Sequence, residues 1–196
     1  PSAWRGKQIL LHFGAVDWKA EVWVNDVKVG EHTGGFTPFY FDITSVLNKG
    51  NNDLVVKVWD PSDRGEQPRG KQIANPHGIW YTPVTGIWQT VWLEPVATQY
   101  ITNLKTTPDI DNNSVKVEVA ANTTSADKVE VKVFDGKNLV AKGAALNGVP
   151  VELAMPANAK LWSPDSPFLY KMEVTLYKDG KAIYQVKSYT AMRKYS

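Results

Sequence analysis

The side chains best equipped for chemistry fall together in one irregular segment, Asp60 to Tyr81, which reads DPSDRGEQPRGKQIANPHGIWY. It carries carboxylates at Asp60 and Asp63, a guanidinium at Arg69, amides at Gln72 and Asn75, an imidazole at His77, and ends on Ile79, Trp80 and Tyr81. Three prolines, three glycines and no apolar alternation mark it as a loop, and a loop of that length inside a compact domain is either functional or disordered. A disordered segment would lack Ile73, Ile79, Trp80 and Tyr81, so an ordered surface loop packed at its far end is expected. Aromatic rings on a loop are better placed to face a ligand than rings inside a strand. Trp80 and Tyr81 are therefore the aromatic candidates, with simple packing as the alternative.

Other chemistries have little support. His12, His32 and His77 are far apart and lack metal-ligand spacing, and no Gly-x-Ser-x-Gly elbow occurs. His12 alternates with Leu11 and Phe13 and reads as structural. Gly34-Gly35 reads as a turn or bulge rather than a phosphate cradle. Asp60 and Asp63 are two carboxylates only, too few to argue for a Ca²⁺ or other metal ion, and no cofactor is expected. The absence of cysteine excludes disulfides, thiolate metal sites and cysteine nucleophiles. Asn-x-Ser/Thr triplets at Asn112 and Asn122 matter only where secreted proteins are glycosylated.

The elements that must position this loop are strands. Val115, Val117 and Val119 alternate with Lys116 and Glu118, and Val129, Val131 and Val133 alternate with Lys128, Glu130 and Lys132, so each segment has one buried and one wet face. Asp135-Gly136 and Asp179-Gly180 supply the positive φ angles of tight hairpin turns, and Asn25-Asp26 is expected to join Ala20–Val24 to Val27–Glu31. Ile43 to Leu47 offers at most one helical turn. The class is all-β, and turns about ten residues apart point to sandwiches. The character of the chain changes near Pro95, from Trp- and Gly-rich to short Val/Lys strands, so domains are expected over 1–97, with about six strands, and 98–196, with about seven.

The 196 residues can enclose a core, with 43% hydrophobic and 21% charged residues. A net charge of +2, from 22 basic and 20 acidic residues scattered along the chain, argues against a nucleic-acid partner. No apolar run approaches the roughly 20 residues that span a bilayer, so no membrane partner is expected. In Ile87–Leu93, Trp88 and Trp92 are expected on one face of a single strand with Ile87, Val91 and Leu93 on the other, both faces covered.

The stretch LLHFGAVDWKAEVWVNDVKVGEHTGGFTPFYFDIT, then Asp60-Pro61, Arg69-Gly70-Lys71-Gln72 and GIWYTPVTGIWQTVWLEPV, resembles the amino-terminal sugar-binding domain of glycoside hydrolase family 2, which includes β-galactosidases, β-glucuronidases and β-mannosidases. The second half, with Leu161-Trp162-Ser163-Pro164-Asp165-Ser166-Pro167, Leu169-Tyr170 and Met192-Arg193-Lys194, is similar to that family's immunoglobulin-like domain where it leads into the catalytic barrel. The resemblance covers nearly the whole chain. It implies a jelly-roll β-sandwich, lacking its first strands because the family's first domain starts earlier, followed by an immunoglobulin-like β-sandwich.

For chemistry the resemblance implies an absence. Family members use two glutamates on a (β/α)₈ barrel for retaining hydrolysis, and a barrel takes about 250 residues. Glu21, Glu31, Glu66, Glu94, Glu118, Glu130, Glu152 and Glu173 read as solvated charges, so no catalytic residue is expected and the fragment alone is expected to be inactive. The resemblance further implies that the Asp60–Tyr81 loop leans toward the barrel, with Arg69, Gln72, Asn75 and His77 as hydroxyl or carboxylate partners and Trp80, beside Tyr81, as a wall. β-Galactosidases often carry an acidic residue six positions before the Gly-Ile-aromatic element. Counting back from Gly86 gives Trp80 here, so sugar specificity does not carry over. The implied partners are a carbohydrate substrate and the parent's barrel, with a homo-oligomer compatible. A free-standing carbohydrate-binding or adhesion module is the alternative, and a periplasmic or extracellular location is favoured over the cytoplasm.

Overall fold

The computed structural model describes residues 1–194, and the chain divides into two compact units, Pro1–Val96 and Ala97–Ser196. Both are β-sandwiches. Among the described residues the only helical turns are 3₁₀ turns at Ser2–Trp4 and Thr44–Val46, and no helix is long and apolar enough to cross a membrane.

The first unit has eight strands: β1 (Gln8–Phe13), β2 (Val16–Asp17), β3 (Lys19–Val24), β4 (Val27–Thr33), β5 (Phe39–Asp42), β6 (Leu54–Trp59), β7 (Gly86–Ile87) and β8 (Val91–Val96). They form antiparallel sheets in the orders β5-β1-β8 and β4-β3-β6, with a two-stranded ribbon β2-β7. Period-two alternation builds the core. β1 turns Ile9, Leu11 and Phe13 inward and β3 turns Ala20, Val22 and Val24 inward, joined by Val16 and Ile43. Each fully buried Val or Leu of this kind contributes about 1.5–3 kcal/mol.

The β3–β4 hairpin turns on Asn25 (φ 49°) and Asp26 (φ 65°), both left-handed, between the paired residues Val24 and Val27. Asn tolerates this region better than most residues, and the Asn25 amide is tied down: Nδ2 donates to the Val46 carbonyl at 2.7 Å and Oδ1 accepts the Asp53 N–H at 3.0 Å.

The strand expected over Ile87–Leu93 is broken. β7 pairs with β2 and ends at Ile87, β8 pairs with β1 and begins at Val91, and residues 88–90 cross between the two partners. Gly14 and Ala15, between β1 and β2, make the same jog on the facing segment, where Gly14 N–H donates to Thr90 O at 2.9 Å. A side chain at Gly14 would meet Gln89 Cβ at 2.7 Å, so this close passage requires glycine. Trp88 and Trp92 therefore do not share a strand face, and they are 52% and 42% exposed rather than covered. Leu93, 44% exposed, lies uncovered as well, and of β8 only Val96 is buried.

The second unit has seven strands: β9 (Ile101–Asp109), β10 (Ser114–Ala121), β11 (Lys128–Asp135), β12 (Asn138–Leu146), β13 (Val151–Ala154), β14 (Tyr170–Lys178) and β15 (Lys181–Thr190). Sheets β13-β10-β9 and β12-β11-β14-β15 enclose Val115, Val117, Val129, Val131, Val133, Leu153, Met172, Val174 and Leu176. At the β14–β15 turn Asp179 (φ 50°) and Gly180 (φ 72°) are both left-handed. The β11–β12 turn lies one residue later than expected: Asp135 pairs with Asn138, and Gly136 (φ 62°) and Lys137 form the bend.

Glu130 departs from its reading as a solvated charge. It is 7% exposed on β11, its carboxylate held by Lys132 at 3.1 Å and Lys142 at 3.1 Å, with Tyr177 Oη at 3.3 Å. Burial would push its pKa up, but the hydrogen bonds and charges of Lys142 and Lys132 outweigh burial, and the group sits below its ordinary value.

Candidate functional site

In the first unit a cleft of about 380 Å³ opens where the β2-β7 ribbon meets the turn after β4. Its apolar walls come from Phe36, Val84, Ile87 and Trp88, and its polar groups from Asp17, Gln72 and Thr85. Each is delivered by a local feature. Asp17 is the last residue of β2 and lies opposite Gly86. Phe36 sits in the turn that begins at Gly34, whose φ of 135° suits glycine. Trp88 is the first residue of the crossing between β7 and β8.

The two aromatic walls meet edge to face, with ring centroids 5.8 Å apart at 73°. Trp88 is fixed further by its indole, whose Nε1 donates to the Gly35 carbonyl at 2.7 Å. Gly35 has a second role, since a β-carbon there would come within 2.7 Å of Asp17 Oδ1. The missing side chain is what leaves room for the carboxylate.

Asp17 is unusual electrostatically. Burial raises its pKa above the ordinary aspartate value, and the nearby charge of Asp60 raises it further. Asp60 is itself anchored: Oδ2 accepts from Thr85 Oγ1 at 3.0 Å and Oδ1 accepts the Ser62 N–H at 2.7 Å. The cleft thus offers a carboxyl that holds its proton more readily than usual, an amide and a hydroxyl, against two indole and phenyl walls. Polar groups converging on an apolar floor are the makings of a site for a small, hydroxyl-rich molecule. Among the described residues no group of three or more His, Cys, Asp or Glu side chains could hold a metal ion.

Of the six loop residues singled out in the sequence, Gln72 lines this cleft. Arg69 is half-buried, its Nη1 donating to the Asp63 carbonyl at 3.4 Å, and so helps shape the loop itself. His77 is exposed with Nδ1 2.8 Å from the Asn75 carbonyl, and the Asn75 side chain is exposed as well. Trp80 is half-buried and Tyr81 is 65% exposed. The far end of the loop closes through its backbone: Tyr81 N–H donates to Lys71 O at 2.8 Å and Ile73 N–H to Tyr81 O at 3.1 Å. Ile73 is buried there, whereas Ile79 and Tyr81, at the far end expected to pack, stay exposed. Asp17 in β2, Phe36 in a turn and Thr85 just before β7 carry no site signal in their local sequence.

The family model of the sugar binding domain of glycosyl hydrolases family 2 matches residues 1–94, and the further family model "Glycosyl hydrolases family 2" matches residues 99–193. The chain belongs to glycosyl hydrolases family 2. Among family 2 relatives, a putative β-glucuronidase of Formosa agariphila is 30% identical over 192 residues, covering 93% of this chain and 22% of that protein. A β-galactosidase of Thermoanaerobacter pseudethanolicus is 28% identical, covering 92% of this chain and 25% of that one. The fold is also that of solved family 2 structures. A Lactobacillus rhamnosus β-glucuronidase superposes with a TM-score of 0.77 at 26% identity, over 98% of this chain and 34% of its own. A Ruminococcus gnavus β-glucuronidase in complex with D-glucuronic acid gives 0.77 at 23% identity, over 99% and 35%. The chain thus spans between a fifth and a third of the length of these family 2 proteins.

Proposed function

We propose that this chain is a non-catalytic accessory region of a retaining family 2 glycoside hydrolase, in which the first unit shapes the carbohydrate pocket and the second braces a catalytic barrel. The observation that carries the reading is the Asp17 cleft: a protonatable carboxyl beside Gln72 and Thr85, walled by Trp88 and Phe36. A ring of that kind receives the apolar face of a pyranose, while the carboxyl accepts or donates a hydrogen bond to a hydroxyl. Arg69, Asn75, His77, Trp80 and Tyr81 belong to the rim of the same pocket in this reading.

The carboxylates present suit binding better than bond cleavage. Retaining hydrolysis needs an acid/base and a nucleophile about 5–5.5 Å apart. Asp60, the acidic neighbour of Asp17, has both oxygens engaged by Thr85 and Ser62. The test is direct. The 196-residue chain should leave nitrophenyl glycosides intact, while glucose, galactose or glucuronate at millimolar concentration should shift the Trp88 indole N–H resonance. Turnover by this chain alone would overturn the accessory reading, and an unmoved Trp88 signal with all three sugars would remove the pocket.

A further inference from the structure

The outer face of the β4-β3-β6 sheet carries a second feature that the cleft does not use. β3 turns Lys19, Glu21 and Trp23 away from the core, β6 turns Lys57 and Trp59 the same way, and the register sets Lys19 opposite Trp59 and Glu21 opposite Lys57. Lys19, Glu21, Lys57 and Trp59 border a hollow of about 310 Å³. Trp59 is 56% exposed there, and Trp18 meets it edge to face at 6.1 Å and 63°. An indole half in water on an open sheet face presents a flat apolar ring with a polar N–H at its edge, the build that suits tryptophan to interfaces.

The charges around it are unequal. Lys28 Nζ holds Glu21 Oε1 at 3.2 Å and Glu31 Oε2 at 2.9 Å, drawing both carboxylates to one side. Lys57 Nζ reaches Glu21 Oε2 only at 3.7 Å and is 72% exposed. Lys19, directly across from Trp59, makes no ion pair within 4 Å among the described residues. Three ammonium groups, Lys19, Lys28 and Lys57, thus share two carboxylates, Glu21 and Glu31, and an excess of positive charge flanks the exposed indole. Lys57 and Trp59 are two residues apart on one strand, so roughly 7 Å separates them, and neighbouring strands bring Lys19 within about 5 Å of the Trp59 backbone.

We propose that this face is a second saccharide-binding platform, selective for acidic oligosaccharides: Trp59 stacks on the apolar face of a sugar ring, Lys19 and Lys57 take its carboxylate or sulfate, and Glu21 accepts a hydroxyl. It stands independently of the cleft. Exposed ammonium–anion contacts are weak and screened by salt, so binding is on the order of millimolar and falls as ionic strength rises.

The chain is titrated at low salt with trigalacturonate, a sulfated galactotriose and neutral galactotriose, following the indole N–H resonances of each tryptophan. At least one acidic trisaccharide should shift Trp59 and bind about tenfold more tightly than the neutral one, a difference of about 1.4 kcal/mol. Trp59→Ala should lower that affinity about tenfold or more, and Lys19→Ala with Lys57→Ala should abolish the acid preference with the melting temperature unchanged. Which acidic probe binds separates a carboxylate from a sulfate ligand. Absence of a Trp59 shift with both acidic sugars, equal affinity for the neutral one, or indifference to Trp59→Ala would overturn the proposal. The Trp88 resonance is read in the same spectra, so failure of the cleft and failure of the platform are told apart.

Discussion

The two units use the same architecture for opposite ends. In the second, the buried cluster gathers residues from β10, β11, β12, β13 and β14, and the large apolar side chains that reach the surface are mostly aliphatic, with Tyr189 the one aromatic exposed by more than two-fifths among the described residues. In the first, the buried cluster is smaller, and Phe36, Tyr40, Trp59, Tyr81, Trp88 and Trp92 are all exposed by more than two-fifths. An aromatic side chain left in water forgoes the stabilisation it would gain by burial. In the reading proposed above, the first unit is the recognition surface and the second the frame.

Substitutions can break or sharpen this contrast. The largest effect is expected in the frame. Leu153 is 1% exposed, and Leu153→Ala should destabilise the chain by about 3 kcal/mol, read as a lower denaturant midpoint. Next comes the ion cluster on β11. Glu130→Ala should cost about 1–2 kcal/mol, because two lysines and a tyrosine lose their acceptor but the lysines can turn to water. Its pH dependence has a definite sign. The carboxyl titrates lower in the folded state, so its contribution is complete above the unfolded value near 4.3 and disappears as pH falls through the folded one. The wild-type protein should therefore lose more stability on acidification than the variant.

The recognition surface should behave differently. Trp88→Ala removes a ring that is half in solvent and one hydrogen bond to Gly35, so about 1 kcal/mol or less is lost in thermal unfolding. The same change should abolish saccharide-induced chemical shifts at the cleft. Smallest is Asp17→Asn, which should raise the melting temperature by about 2 °C at neutral pH. Burial and Asp60 disfavour the charged form, so the folded state of the wild type loses stability as pH climbs from the unfolded value near 3.9 through the raised one. The advantage of the variant should fade below that window.

Much of the frame was legible because its code is local. Val129, Val131 and Val133 repeat at the spacing of a pleated strand, and Asp179-Gly180 names a turn in two letters. Glu130 escaped, since alternation assigns it a wet face and only the register of β11 with β12 and β14 brings Lys142 and Tyr177 over it. The candidate cleft was not legible as a set of residues. The irregular composition of 60–81 marks a loop, and Gln72 does line the cleft. Asp17, Phe36 and Trp88 come from three distant segments joined by strand pairing and by the jog at residues 88–90, which a continuous apolar pattern conceals.

Gly35 makes the cleft adjustable by a single atom. Its carbonyl pins the indole of Trp88 while its empty α-carbon leaves the space that the Asp17 carboxyl occupies. One methyl group at position 35 would act as a stopper, displacing the acidic group without altering any charge or the anchor on the opposite wall. The space open beside the Asp17 carboxyl is thereby set by a residue that contributes no side-chain group of its own.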